Sequence, residues 1–263
     1  MSNSTEITSM MDNPLEFERM AKVERKHWWF KNLHNLVYFV IQSFRFSSPK
    51  ILDLGCGSGG LMEFLKIKGY NKLIGVDISE FGINYCKQKN LSVIQADVRQ
   101  LKKQNFPDLF DVIIINDVLC YLTDYEVDQV LIHLKELLSP NGIIIMNNAS
   151  LQAFKGDHDL AVGVDKRFSK SLIRKHAKAS KLNIVQNRYW PFVLSPTIYM
   201  YRSIQRLLRK LHPNRKIHSD VKMPNQVLNS LFWGICRLEM VVLKTGLFGS
   251  SLFTVLKKNQ EAN

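Results

Sequence analysis

Lys50-Ile51-Leu52-Asp53-Leu54-Gly55-Cys56-Gly57-Ser58-Gly59-Gly60 is the stretch on which the fold turns. A short apolar run through Leu54, with one carboxylate at Asp53, passes at once into a glycine-rich segment. That is the pattern of a buried strand feeding a tight turn. Residues 61–68 continue as a helix, and Gly69 ends it. Glycines at such a turn let the backbone bend sharply and let a ligand approach it closely. The same rhythm repeats downstream. Residues 72–76 read as a strand closed by Asp77, and Ser79 is an N-cap for a helix through residue 90. Residues 91–95 form a third strand, followed by Ala96 and Asp97, and residues 111–115 a fourth. A helix over 124–138, a turn at Ser139-Pro140-Asn141-Gly142 and a strand over 143–146 complete the series. Strands alternating with helices imply right-handed crossovers and a parallel sheet covered on both faces.

The flanks carry a different pattern. Residues 14–45 read as helix, with Leu33, Leu36, Val37, Val40, Ile41 and Phe44 on one face. The aromatic cluster His27-Trp28-Trp29-Phe30 precedes that stripe. Residues 158–164 read as a loop, 169–181 as a helix and 182–190 as a strand. Residues 191–249 show no strand–helix alternation but two amphipathic helices, and 251–257 a closing strand. That last strand is short and follows a long excursion, so it pairs as an antiparallel hairpin partner. The expected class is α/β: a Rossmann-like, seven-stranded, mostly parallel sheet with an antiparallel last strand. A helical lid over 1–45 precedes a core over 46–190 and 250–258, interrupted by a helical insertion over 191–249.

Composition narrows the function. Of 263 residues, 46% are hydrophobic and 22% charged, which excludes a collagenous or wholly disordered chain. The four cysteines form no C-x-x-C pair, which argues against a disulfide framework or a cysteine metal site, and no metal is expected. The first thirteen residues carry no lysine, arginine or apolar core, unlike a secretory signal. A cytoplasmic protein is expected. Residues 1–160 hold 17 Lys and Arg against 19 Asp and Glu, a net charge of −2, so the +13 of the chain resides in residues 161–263, at +15. Such asymmetry suits either an acidic partner or a solvated basic surface. In residues 200–211, Met200, Ile204, Leu207, Leu208 and Leu211 face one way and Arg202, Arg206 and Arg209 another. That helix fits an interface with an anionic membrane; the commoner arrangement docks the apolar side on the protein and leaves the arginines in water.

The glycine turn alone fits two cofactors. Gly55, Gly57 and Gly60 match the dinucleotide spacing G-x-G-x-x-G, and Gly55, Gly57 and Gly59 match a G-x-G-x-G turn. With either, Asp77 accepts from ribose hydroxyls. Asp53 before the glycines, Gln95-Ala96-Asp97-Val98 after the third strand, Phe110-Asp111-Val112-Ile113-Ile114 and Leu137-Leu138-Ser139-Pro140-Asn141-Gly142 decide between them. In this order and spacing, residues 50–147 resemble the class I S-adenosylmethionine-dependent methyltransferases. The resemblance implies that Asp53, Gly55, Cys56, Gly57 and Gly59 hold the methionine part of the cofactor. Asp77 and Ile78 would hold the ribose side, Asp97 and Val98 the adenine, and Asn116 would lie beside the sulfonium. A dinucleotide-dependent oxidoreductase is the alternative that cofactor titration separates.

A narrower resemblance extends outward. Glu24-Arg25-Lys26-His27-Trp28-Trp29-Phe30, His158-Asp159 with Lys166-Arg167-Phe168-Ser169, and Glu239 with Phe248-Gly249 resemble a bacterial subgroup of these enzymes with an aromatic entry helix and largely unassigned substrates. Asp117-Val118-Leu119-Cys120-Tyr121 departs from it, with Cys120-Tyr121 where many relatives have Glu-His. Candidates for proton transfer are His27, His158 and Asp159. Trp28, Trp29 and Tyr121 are candidates for the acceptor site, the tryptophans serving equally as core. The expected acceptor is a small or lipid- or glycan-linked molecule, with peripheral contact to the inner membrane face. RNA or another nucleic acid is the runner-up. It is disfavoured because Asn116-Asp117-Val118-Leu119 is not the Pro-Pro-aromatic segment of base-amine methylation. The oligomeric state is left open.

Overall fold

The structure is a computed structural model, described over residues 14–164, 166–213, 223–243 and 246–259. The polar stretch before residue 14, read above for an export signal, lies outside the described residues, as does part of the 191–249 excursion. Seven strands form one sheet in the order β3-β2-β1-β4-β5-β7-β6. They are β1 (Ile51–Leu54), β2 (Leu73–Asp77), β3 (Val93–Gln95), β4 (Phe110–Asn116), β5 (Leu138–Ala149), β6 (Leu182–Trp190) and β7 (Ser251–Lys258). β1 pairs in parallel with β2 and β4, β2 with β3, and β4 with β5. β7 runs antiparallel between β5 and β6, as the hairpin argument requires.

The apolar strands separate into two cores by the alternation of the pleat. Leu52, Ile113 and Ile115 face α5 (Asp124–Leu137) and α7 (Lys170–Ala179). Ile51, Val112 and Ile114 face the other side with Leu36, Val37 and Ile41 of α2 (Trp28–Ser43) and Met62 and Leu65 of α3 (Gly60–Ile67). Val112 through Ile115 are all fully buried, which is why β4 reads as an unbroken apolar run.

The chain passes from β1 outward to β2 and β3, then returns to place β4 on the other flank of β1. The carboxyl ends of β1 and β4 therefore bound the crevice where open α/β sheets bind ligands. Gly55 shows how tightly the two ends meet. At φ +71°, a Cβ there would fall 2.2 Å from Val118 Cγ2.

Four local expectations change. The helix over 14–45 is two helices, α1 (Pro14–Glu24) and α2, because His27 is extended and caps the second. The third strand begins at Val93. The turn at 139–142 sits inside β5 as an irregularity, since Leu138 pairs with Phe110 and Ile143 with Val112. The loop over 158–164 opens with a short helix, α6 (Asp157–Ala161).

The largest difference is at α8 (Ser195–Leu211). Its arginines face the protein. Arg206 Nη1 donates to the carbonyls of Ala153 (2.7 Å) and Lys155 (2.8 Å), and Arg209 Nη2 donates to Asp157 Oδ1 (2.6 Å). Gly156 makes this approach possible, because a Cβ there would strike Arg202 Cδ at 2.3 Å. Met200, Ile204, Leu207 and Leu211 are left exposed, by 59%, 49%, 57% and 63%. The carbonyls at 153–155 and the α6 carboxylate need donors, and the arginines supply them. α9 (Gln226–Val242) packs on α2 and also exposes Val227, Leu231, Leu238, Val241 and Val242. Among the described residues no helix is long and apolar enough to cross a membrane.

Candidate functional site

The turn after β1 places Gly55, Gly57 and Gly59 at positive φ, and the backbone N–H of Gly55 donates to Val76 O at 2.7 Å. Asp77 fixes the turn from β2. Its Oδ2 accepts from the Gly57 N–H and its Oδ1 from the Ser79 N–H, both at 2.8 Å. Ser79 in turn caps α4 (Glu80–Gln88). Burial raises the Asp77 carboxyl above its ordinary range, and those donors oppose the rise. Asp53 is 3% exposed and is raised further, by burial first and then by the charges of Glu24 and Asp77.

Glu24 opens the aromatic segment quoted from the sequence, which gives it no role. It ends α1, accepts from the Ser58 hydroxyl, and occupies the space a Cβ on Gly60 would need. Burial raises its pKa, opposed by Ser58, Lys89, Gly60 and Arg25. Lys89 bonds the Ser58 carbonyl (2.7 Å) and Glu63 (2.8 Å), and Arg25 also pairs with Glu63. Nothing in the spacing of residue 24 connects it to the glycines, since the contact depends on how α1 folds over the sheet.

Two buried carboxylates, Asp53 and Asp77, and the half-buried Glu24 therefore ring a glycine cradle. The space beside Gly57 is open, with no atom within 4 Å of where its Cβ would be. Such a ring suits a ligand with positive charge. Next to it Ile78 stands 57% exposed after β2, and Val98 is half-buried. Asp97 caps the turn at Val98–Gln100 through the Arg99 N–H (2.9 Å), and the Arg99 guanidinium bonds both its oxygens. That guanidinium holds the Asp97 carboxyl below the usual carboxylate range. At the end of β4, Asn116 Oδ1 is buried with no partner among the described residues. An open cradle, an orphan acceptor and uncompensated buried acid together fit a cationic nucleoside ligand with a methionine tail.

The other half of the crevice is polar and interlocked. Asp117 sits at φ +54°, and its Oδ2 accepts from Asn147 Nδ2 at 3.0 Å. Burial pushes its carboxyl up to about 7, with Asn147 and Arg167 opposing. Asn147 Oδ1 accepts from Trp190 Nε1 at 2.8 Å, and Trp190 stacks on Trp29 at 5.5 Å and 19°. Tyr121, 47% exposed, borders this group, and its phenol is raised above its ordinary value by desolvation and then by the Cys120, Asp117 and Asp159 charges.

The proton-transfer candidates disperse. Asp159 is 2% exposed, ion-pairs with Arg167 and accepts from the Gly156 N–H at 2.8 Å, so its carboxylate serves as an anchor. His27 Nδ1 accepts from the Trp29 N–H at 3.2 Å, and burial lowers its pKa to about 4, which leaves it neutral at pH 7. His158 is half-buried on α6. Trp28 packs edge-on against Phe232 of α9 and donates its backbone N–H to Asn229. The tryptophans thus join α2 to α9 and β6; Trp29 reaches the polar group through its stacking on Trp190, and Trp28 is turned to α9. Asn147 has no signal in the sequence, and Asp117 enters there only within the segment that departs from the subgroup, because nothing local distinguishes a buried polar residue from a solvated one.

Comparison with known proteins accords with this geometry. A family model described as a methyltransferase domain matches residues 46–192. The chain is 26% identical over 155 residues to a ubiquinone biosynthesis O-methyltransferase of Rickettsia prowazekii, covering 51% of this chain and 59% of that protein. It is 28% identical over 165 residues to the protein of that name from Pasteurella multocida, covering 53% and 65%. The chain thus spans less than two thirds of the length of these curated relatives. In fold it resembles the crystal structure of a SAM-dependent methyltransferase from Archaeoglobus fulgidus, with a TM-score of 0.55 and 17% identity over 86% of this chain and 93% of that one. Residues 46–192 make up more than half of the chain, and the chain belongs to the methyltransferase domain family.

Proposed function

We propose that the enzyme methylates a hydroxyl of an apolar acceptor that it takes up at the surface of an anionic membrane. The observation that carries this reading is α8, which spends its arginines on the protein and turns Met200, Ile204, Leu207 and Leu211 to the outside. A helix of that kind, beside a second exposed apolar face on α9, has a reason to be there if a bilayer covers it. The +15 charge of residues 161–263 suits an anionic surface. The names of the curated relatives support oxygen as the acceptor atom and an acceptor related to ubiquinone biosynthesis.

In this reading Asp53, Gly55, Cys56, Gly57 and Gly59 hold the methionine part of the cofactor. Asp77 accepts from the ribose hydroxyls with Ile78 beside it, and Val98 packs on the adenine while Asp97 accepts from its amine. Asn116 lies beside the sulfonium. When bound, S-adenosylmethionine supplies a methyl group that is already activated. The protein's part is to hold the acceptor in line and exclude water. A hydroxyl must lose its proton, and Asp117, with its carboxyl near 7, is the group suited to take it; His158 is the other candidate. Tyr121 forms the acceptor wall. Incubation with methyl-labelled cofactor and fractionated cell extract tests the reading. Label is expected in the lipid fraction; label confined to nucleic acid overturns it.

A further inference from the structure

A cavity lies away from the glycine turn. It measures about 500 Å³ and is walled by Ser43 and Phe44 at the end of α2, Val185 to Arg188 of β6, Met240 of α9 and Val255 of β7. β6 is the edge of the sheet, four strand positions from β1 in the order β1-β4-β5-β7-β6. At the usual spacing that is about 19 Å from the strand that carries the cofactor turn. None of the cofactor candidates lines it.

The feature that distinguishes this cavity is Arg188. It stands two residues before Trp190, pairs with Phe253 in the ladder and is 5% exposed. Its Nε and Nη2 are buried and have no hydrogen-bond partner among the described residues. A buried guanidinium without partners costs stability, and such groups are ordinarily paired. Burial lowers its pKa, with the Glu239 charge opposing. Glu239 is not its bonded partner, because both of its oxygens accept from the backbone N–H groups of Phe192 and Val193 at 2.8 and 2.9 Å. Around the guanidinium the lining is divided. Gln186, Asn187 and Ser43 are polar, and Phe44, Val185, Met240 and Val255 are apolar. Val185 is 47% exposed.

We propose that this cavity binds an anionic amphiphile, a single phosphate or carboxylate on an apolar chain, with Arg188 as the group that holds the anion. The guanidinium offers planar paired donors suited to an oxyanion. The apolar walls accept the first part of the chain, whose remainder extends past Val185. A lipid headgroup and a free anion share this chemistry, and the probes below separate them. The proposal does not depend on methyl transfer.

Calorimetry on the whole protein tests it, with dodecyl phosphate below its micellar concentration, inorganic phosphate and dodecyltrimethylammonium as probes. Dodecyl phosphate is expected to bind, and the other two at least tenfold more weakly. Arg188→Gln is expected to weaken dodecyl phosphate by about 10- to 100-fold, the effect of losing a charged hydrogen-bond partner. Ser43→Asp places a competing carboxylate at the rim while keeping Arg188, so it tests the site even if the buried variant fails to fold. It should weaken dodecyl phosphate comparably. S-adenosylhomocysteine binding should be unchanged in both variants; its absence from the wild type would sink the methyltransferase reading and not this one. Equal binding of the phosphate and the ammonium probe overturns the proposal, as does unchanged dodecyl phosphate binding in Ser43→Asp. Inorganic phosphate binding as tightly as dodecyl phosphate overturns the amphiphile in favour of a free-anion site.

Discussion

Replacing Leu207 and Leu211 together with serine tests the membrane reading where it is most exposed to failure. A leucine moved fully from water to an apolar phase gains about 2 kcal/mol. Leu207 and Leu211 already lie partly against the protein, with 57% and 63% of their surface exposed, so each can gain about 1 kcal/mol at a bilayer. With Met200 and Ile204, at 59% and 49%, the face offers about 4 kcal/mol, roughly a thousandfold in partitioning. Removing the two leucines should therefore weaken vesicle binding by about 30-fold. Sedimentation with phosphatidylglycerol vesicles over a range of lipid concentrations measures it. Because both side chains are more than half in water, the variant should fold with little change in melting temperature. Salt gives a second axis. If the basic segment contributes, affinity should fall as ionic strength rises, whereas the loss from the serine pair should persist at high salt. Equal sedimentation of wild type and variant, or no sedimentation of either at low salt, refutes the reasoning.

Asp77→Ala removes the acceptor that ties the glycine turn to β2; S-adenosylhomocysteine binding should weaken by about 1–3 kcal/mol in calorimetry. Gly55→Ala meets Val118 at 2.2 Å in a left-handed conformation, so it should lower stability by about 1–3 kcal/mol in denaturant titration and impair cofactor binding with it. For Asp117, whose native carboxyl is pushed up to about 7, the native state holds a proton that the unfolded chain releases near 4. Its contribution to stability is present below about 4 and is lost as pH rises toward 7. Urea titrations of wild type and Asp117→Asn should converge at low pH and diverge in the variant's favour toward neutrality, and a parallel pH dependence in both proteins counts against a raised pKa.

The sheet was legible because its strands obey simple rules. Val112 to Ile115 must be buried on both faces, and the glycines after Leu54 must follow a strand if they are to hold a ligand. Order along the chain supplied the rest, including the antiparallel β7. The site was legible only where a residue lies next to its landmark. Asp77 ends β2 and Asp53 stands one residue before the end of β1, so both lie next to the landmarks that carry the resemblance. Glu24 does not, since it reaches Ser58 across 34 residues through the packing of α1. Asp159 is a candidate for proton transfer in the sequence, in the His158-Asp159 segment that resembles the subgroup, whereas in the structure Arg167, eight residues on, pairs with it. The orientation of α8 was misread for a related reason. Its periodicity shows two faces, and only the demand of the 153–157 backbone and Asp157 for donors decides which one turns inward.

That choice links the exposed helix to the crevice. α6 carries Asp157 and Asp159 on its first turn, and the two carboxylates are engaged in different directions. Asp157 holds Arg209 of α8, and Asp159 holds Arg167, whose Nε also donates to the Ser150 and Leu151 carbonyls just past the end of β5. The Arg167 charge in turn acts on Asp117. Two buried or half-buried ion pairs therefore connect α8 to the carboxyl ends of β4 and β5, where the proposed acceptor would be held. Ion pairs out of water are stiff in geometry and costly to break singly. If α8 rests on a bilayer, the surface that delivers an apolar acceptor and the groups that would orient it are held in one frame. A flexible tether could bring the protein to a membrane equally well but would not fix that geometry. The arginines turned inward supply the rigidity, and the apolar side chains turned outward are what remain for the bilayer.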